Sequence, residues 1–185
     1  LYGMPELPGV RAQIAESVRV ANPGCYPTAV TLAMAPLLAE GLVDTSVSVV
    51  AASGTSGAGR TPSETLLASQ VMGSMSPYKV GGGHQHTPEM EQALTHAAGQ
   101  EVVVSFTPLL APMPRGILAT SSAELSTGVT TDDLHECLQA AYADEPFVIV
   151  LPPGQWPQTA STVGSNAVHI QAVAATHSGR AVVVS

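Results

Sequence analysis

Charge is what this 185-residue chain has least of. Asp, Glu, Lys and Arg make up 11% of it, against roughly 25% in an ordinary soluble domain. Only 6 residues are Lys or Arg against 14 Asp or Glu, a formal net charge of -8. A nucleic-acid surface is excluded on that ground, since it depends on clustered cations. Cysteine is scarce too: Cys25 and Cys137 are the 2 present, too few for a disulfide framework. No secretory signal stands at the start, and no apolar run is long enough to span a bilayer. The expected compartment is therefore a reducing cytoplasm. A surface with so little charge is expected to lie partly under other protein, a twin subunit or a further domain. The chain opens at Leu1 without an initiator Met and ends in RAVVVS, the middle of a strand-like run. Both ends read as cuts in a longer protein. Internal repeats, charge blocks, low-complexity tracts and linkers are also missing, so one domain with a real core is expected over residues 1–185.

What is there begins with an apolar stretch. Residues 26–40, YPTAVTLAMAPLLAE, are apolar nearly all round and are followed by Gly41, the pattern of a buried helix with a glycine stop. Pro36 predicts a kink or an early end. Residues 46–52 read as a strand. SGTSGAGR at 53–60 is a loop, and Thr61-Pro62-Ser63-Glu64 predicts a helix after it, with Thr as cap, Pro at the first position and Glu at the third. A second start, Thr87-Pro88-Glu89, leads to a helix ending at Gly99. Residues 101–107 and 117–125 read as strands around a Pro-rich loop. Thr130 or Thr131 caps a further helix whose Leu134, Cys137, Leu138, Ala141 and Tyr142 share one face. Strands follow near 147–151, 167–176 and 181–185, with His177-Ser178-Gly179 as a hairpin turn. Helices come mainly early and strands mainly late, so the expected class is α+β with a mixed or largely antiparallel sheet rather than a Rossmann fold.

The chemistry centres on NPGCYPTAV at 22–30. A cysteine between a Pro-Gly turn and a helix start sits where free N–H groups and the helix dipole stabilise a thiolate. The glycine before it permits close approach of a substrate. The competing reading is a buried packing residue, the role assigned to Cys137 on its apolar stripe. A nucleophilic cysteine needs a proton shuttle. GGGHQHTPE at 81–89 offers His84 and His86, which point the same way if that segment is extended. Glu89 could orient a ring nitrogen. Solvated loop histidines, or a zinc site shared with Cys25, are the alternatives. His96 suits the end of its helix and His135 the exposed side of its own, while His169 and His177 suggest no role. The Gly/Ser loop 53–60 has the composition of an anion-binding nest without a Walker lysine. Arg60 and Arg115, two of so few cations, are candidate clamps for a carboxylate or phosphate.

Taken in order, PGCYPT, SGTSGAGR, GGGHQHTPE and PMPRGI resemble the N-acetyl-gamma-glutamyl-phosphate reductase family over nearly the whole chain, and YGMPEL at 2–7 is similar to the segment before that family's cysteine. The resemblance implies a glyceraldehyde-3-phosphate dehydrogenase-like C-terminal domain with helices on one face of its sheet. It further implies a catalytic and dimerisation domain, a homo-oligomer (dimer or tetramer), and a Rossmann NADP-binding domain outside residues 1–185. In that family's terms Cys25 is the nucleophile that forms a thioester from an acyl phosphate, and His86 or His84 is the acid/base. Arg115, Arg60, Tyr78 and Glu89 are substrate-binding or positioning residues. Ser53, Gly54 and Gly57 lie at the nicotinamide end of NADP, and no metal is involved. Three other readings remain open: an aspartate-semialdehyde dehydrogenase-type enzyme, a Cys/His hydrolase or acyltransferase, and a non-catalytic dimerisation or metal-binding module.

Overall fold

The computed structural model describes residues 1–185. Five helices, α1 (Val10–Glu16), α2 (Cys25–Ala39), α3 (Ala68–Val71), α4 (Thr87–Ala98) and α5 (Thr131–Ala141), accompany seven strands. The strands are β1 (Ser46–Ser53), β2 (Ser76–Pro77), β3 (Val103–Leu110), β4 (Ile117–Glu124), β5 (Val148–Val150), β6 (Val168–Ala175) and β7 (Arg180–Val184). They form one sheet in the order β2-β3-β1-β4-β7-β6-β5. The β1/β3 and β5/β6 pairs are parallel and the others antiparallel. The α+β class with a mixed, largely antiparallel sheet is therefore observed. No helix is long and apolar enough to cross a membrane.

Periodicity explains the layers. Along β1 exposed and buried residues alternate, so Val47, Val49 and Ala51 enter the core while Ser46, Ser48 and Val50 face outward. On the inner face, Ala119 and Ala123 of β4 and Ala181 of β7 are fully buried. Such short side chains let α2 lie close to the sheet. That helix is apolar all round because it is covered all round, with the sheet below and α4 and α5 beside it. The opposite face of β3, β1 and β4 stays open.

Pro36 neither ends nor truncates α2, which runs on to Ala39. Proline has no N–H to give the carbonyl of Leu32 four residues back. The buried Tyr142 hydroxyl donates to that carbonyl instead, at 2.6 Å. α5 opens with a capping box, in which Thr130 Oγ1 accepts from Asp133 N–H and Asp133 Oδ2 accepts from Thr130 N–H. Leu134, Leu138 and Tyr142 bury as the helical stripe requires, whereas Ala141, at the frayed end, stays exposed. Gly99 closes α4 in the left-handed conformation, φ 68, which glycine adopts without a side-chain clash.

The helix expected after Thr61 does not form. Residues 59–75 hold only a 3-10 turn, Glu64–Leu66, and the four-residue α3. The start signature is local, but only Val71 of this segment is buried. A stretch this short is marginal as a helix without a face to pack.

Candidate active site

Cys25 is the first residue of α2, with Gly24 as N-cap. The helix thus begins one residue before the stretch 26–40 read as helical. Cys25 is exposed and opens onto a cavity of about 610 Å³ that Ser53, Gly54 and Gly57 also line, a volume within the range of small-molecule sites. Ser53 ends β1, so strand and helix deliver their ends to one place.

The two histidines, left equivalent by sequence, are separated by the structure. His84 is buried, ringed by Tyr26, Tyr78, Phe106 and His86 at centroid distances of 5.4, 5.6, 5.3 and 4.8 Å. Its Nδ1 accepts the backbone N–H of His86 at 3.1 Å. Burial, then the neighbouring His86 and Lys79, hold His84 below the ordinary imidazole range, so it rests as a neutral prop. His86 instead packs on Gly24. A Cβ placed there would stand 2.6 Å from His86 Nε2. Glycine is required before the cysteine because an imidazole occupies the space a side chain would need.

Glu89 does not orient a histidine ring. Its Oε1 accepts the N–H of Gly24 at 2.8 Å and the hydroxyl of Tyr2 at 3.0 Å, while His86 Nδ1 is buried without a partner. Tyr78 bonds Tyr26 through the hydroxyls at 2.7 Å and so belongs to the aromatic wall behind the histidines. Arg115 is exposed and free of ion pairs. Its backbone closes on Gly54, where a Cβ would meet Arg115 N at 2.7 Å, and the next residue, Gly116, lines the cavity. Arg60 lies on the exposed loop, away from the cavity lining. No group of three His, Cys, Asp or Glu side chains is arranged to hold a metal ion.

Sequence reasoning missed the far wall, where Gln158, Thr159, Thr162 and His169 face the same cavity as Cys25. The run PQTAST at 157–162 is polar and ordinary for a loop, so only its placement singles it out. His135 was expected on an exposed helix face. It is half-buried, with Nε2 3.0 Å from the carbonyl of Leu151. Cys137 packs as expected, and burial, with Glu40 nearby, pushes its thiol up to about 11.

The fold is one shared by solved semialdehyde dehydrogenases. The chain belongs to the family described as "Semialdehyde dehydrogenase, dimerisation domain", which matches residues 25–185. Among whole proteins it is 63% identical, over 185 residues, to the N-acetyl-gamma-glutamyl-phosphate reductase of Acidothermus cellulolyticus, covering 100% of this chain and 54% of that protein. The chain spans about half the length of the curated relatives it matches. Its fold is similar to aspartate semialdehyde dehydrogenase II of Vibrio cholerae, with a TM-score of 0.76 at 14% identity over 99% of this chain and 61% of that one. It is also similar to the Candida albicans aspartate semialdehyde dehydrogenase solved with NADP, with a TM-score of 0.61 at 15% identity over 90% of this chain and 52% of that one.

Proposed function

We propose that this chain is the catalytic and dimerisation part of an NADP-dependent N-acetyl-gamma-glutamyl-phosphate reductase, which makes N-acetylglutamate 5-semialdehyde in arginine biosynthesis. The observation that carries this reading is the packing of His86 on Gly24, which sets an imidazole beside an exposed cysteine at a helix N-terminus. The 63% identity to a reductase of that name supports the choice of substrate.

In this reading Cys25 Sγ attacks the acyl carbon of the acyl phosphate. The carbon–oxygen bond to phosphate breaks, phosphate leaves with the electron pair, and a thioester remains on Cys25. Ser53, Gly54 and Gly57 line the cavity beside Cys25, and Gly57 has open space where a side chain would stand. These residues would hold the nicotinamide end of NADP, whose reduced form, when bound, supplies the hydride that reduces the thioester carbon. His86 protonates the oxygen of the resulting thiohemiacetal and takes that proton back as the carbon–sulfur bond breaks and the aldehyde forms. His84 and Tyr26 pack against His86, and Tyr78 stands behind His84. Arg115, the unpaired cation beside the cavity, holds the substrate's carboxylate or phosphate, and Arg60 has no contact with this step. The nucleotide-binding domain belongs to the half of the relatives this chain does not span. The open sheet face is the self-association surface of the homo-oligomer.

The test uses the full-length protein that contains this chain. Phosphate-dependent NADPH formation is followed from N-acetylglutamate semialdehyde, with aspartate semialdehyde as competitor. Activity that needs phosphate, prefers the acetylated substrate and disappears in Cys25→Ala is expected. Turnover surviving in Cys25→Ala would defeat the mechanism, and a preference for aspartate semialdehyde would reassign the substrate.

A further inference from the structure

Resting on that reading of Cys25 and His86, we infer that Glu89, locked by Tyr2, is a positioning residue that sets the spacing of nucleophile and imidazole, and that it does not bind substrate. Glu89 lies in the first turn of α4, whose N-cap is His86, so the carboxylate and the imidazole are carried by one rigid turn. Gly24 is joined to Cys25 by a peptide bond and is held on two sides. His86 packs on its α-carbon, and Glu89 Oε1 accepts its N–H at 2.8 Å. The carboxylate therefore ties two segments 65 residues apart along the chain.

Tyr2 fixes the carboxylate in turn. Its hydroxyl donates to the same Oε1 at 3.0 Å from 87 residues away. The tyrosine is itself set by backbone pairing beside the cysteine turn, where Gly3 N–H donates to Ala21 O at 2.9 Å and Ala21 N–H to Leu1 O at 2.8 Å. Burial and the adjacent Glu89 push the Tyr2 phenol up, so it stays a donor. An oxygen already taking two donors, with no hydrogen bond to either histidine ring, is placed to hold a backbone rather than to move a proton. Charge-assisted bonds to a carboxylate are shorter and stronger than neutral ones, which suits a strut between segments so distant in sequence.

The experiment compares Glu89→Gln, Glu89→Ala and Tyr2→Phe in the full-length protein. The amide oxygen of Gln can still accept both bonds, so Glu89→Gln is expected to keep kcat close to wild type. Glu89→Ala is expected to lose up to about a hundredfold in kcat, the scale of a misplacement near 1 Å. KM should stay within about twofold, since no substrate contact is removed. Tyr2→Phe should fall between them. Iodoacetamide alkylation of Cys25, followed by mass spectrometry, should be slowed in Glu89→Ala and normal in Glu89→Gln. That readout does not depend on the assigned substrate, so a wild type that alkylates but reduces nothing would fail the functional reading alone. If Glu89→Ala does not fold, a kcat loss in Glu89→Gln, or wild-type kcat and alkylation in Tyr2→Phe, overturns the inference. Glu89→Gln as damaging as Glu89→Ala, a raised KM with kcat retained, or wild-type behaviour of both Glu89→Ala and Tyr2→Phe would overturn the inference.

Discussion

At the scale of single residues, the site depends on which groups are denied water. His84 and His86 stand two positions apart in the chain, yet one is enclosed by four rings and the other rests on a glycine beside the cysteine. Enclosure favours the neutral imidazole, which gives His84 a sign in the stability of the fold. Its folded value lies below its unfolded value, so the unfolded chain binds more protons between the two. Its contribution is therefore full above the ordinary imidazole value and is lost as pH falls from there through the lowered value. In denaturant titrations from pH 8 to pH 5, wild type should lose more stability than His84→Gln, which keeps an acceptor for the His86 N–H but does not titrate. Parallel curves for the two proteins would remove His84 from the acid response.

At the scale of elements, α2 shows how a helix accommodates a proline within its last turn. Tyr142, just past the end of α5, supplies the donor that Pro36 lacks. Tyr142→Phe leaves the buried Leu32 carbonyl unpaired and should cost about 1–3 kcal/mol, read from chemical denaturation. The loss should shrink in a Pro36→Ala background, where a backbone N–H returns. An equal loss in both backgrounds would mean the hydroxyl matters only for packing. The same interplay explains what could be read in advance. Pro36 was visible as a defect, but its remedy lies 110 residues from Leu32. Thr61-Pro62-Ser63-Glu64 was visible as a helix start, but the core has no place for the helix that would follow.

At the scale of the whole molecule, the low charge has a structural counterpart in the uncovered sheet face. Val50 lies beside Thr107 and Thr120, and Ser48 beside Ser105 and Ser122, a row of short uncharged side chains able to meet a second sheet at about 10 Å. Val50 is 48% exposed in the single chain. If this face joins two copies, Val50→Glu buries two like charges at the contact and should shift the full-length protein toward monomer in sedimentation velocity, with its circular dichroism unchanged. An unaltered sedimentation coefficient would place the interface elsewhere.

The sequence alone determined the features whose physics is local or periodic. These are the strands that alternate, the glycine stop of α4 and the N-cap of α5, the buried character of α2, the scarcity of charge, and the pairing of a turn-held cysteine with a His-x-His segment. Tertiary structure decided what depends on separate segments meeting. It chose His86 over His84 beside Gly24, gave Glu89 to the cysteine turn and to Tyr2, and brought Gln158 and His169 to the cavity wall. Proximity between residues so far apart in the chain arises only when the core closes around α2, and no local pattern encodes it.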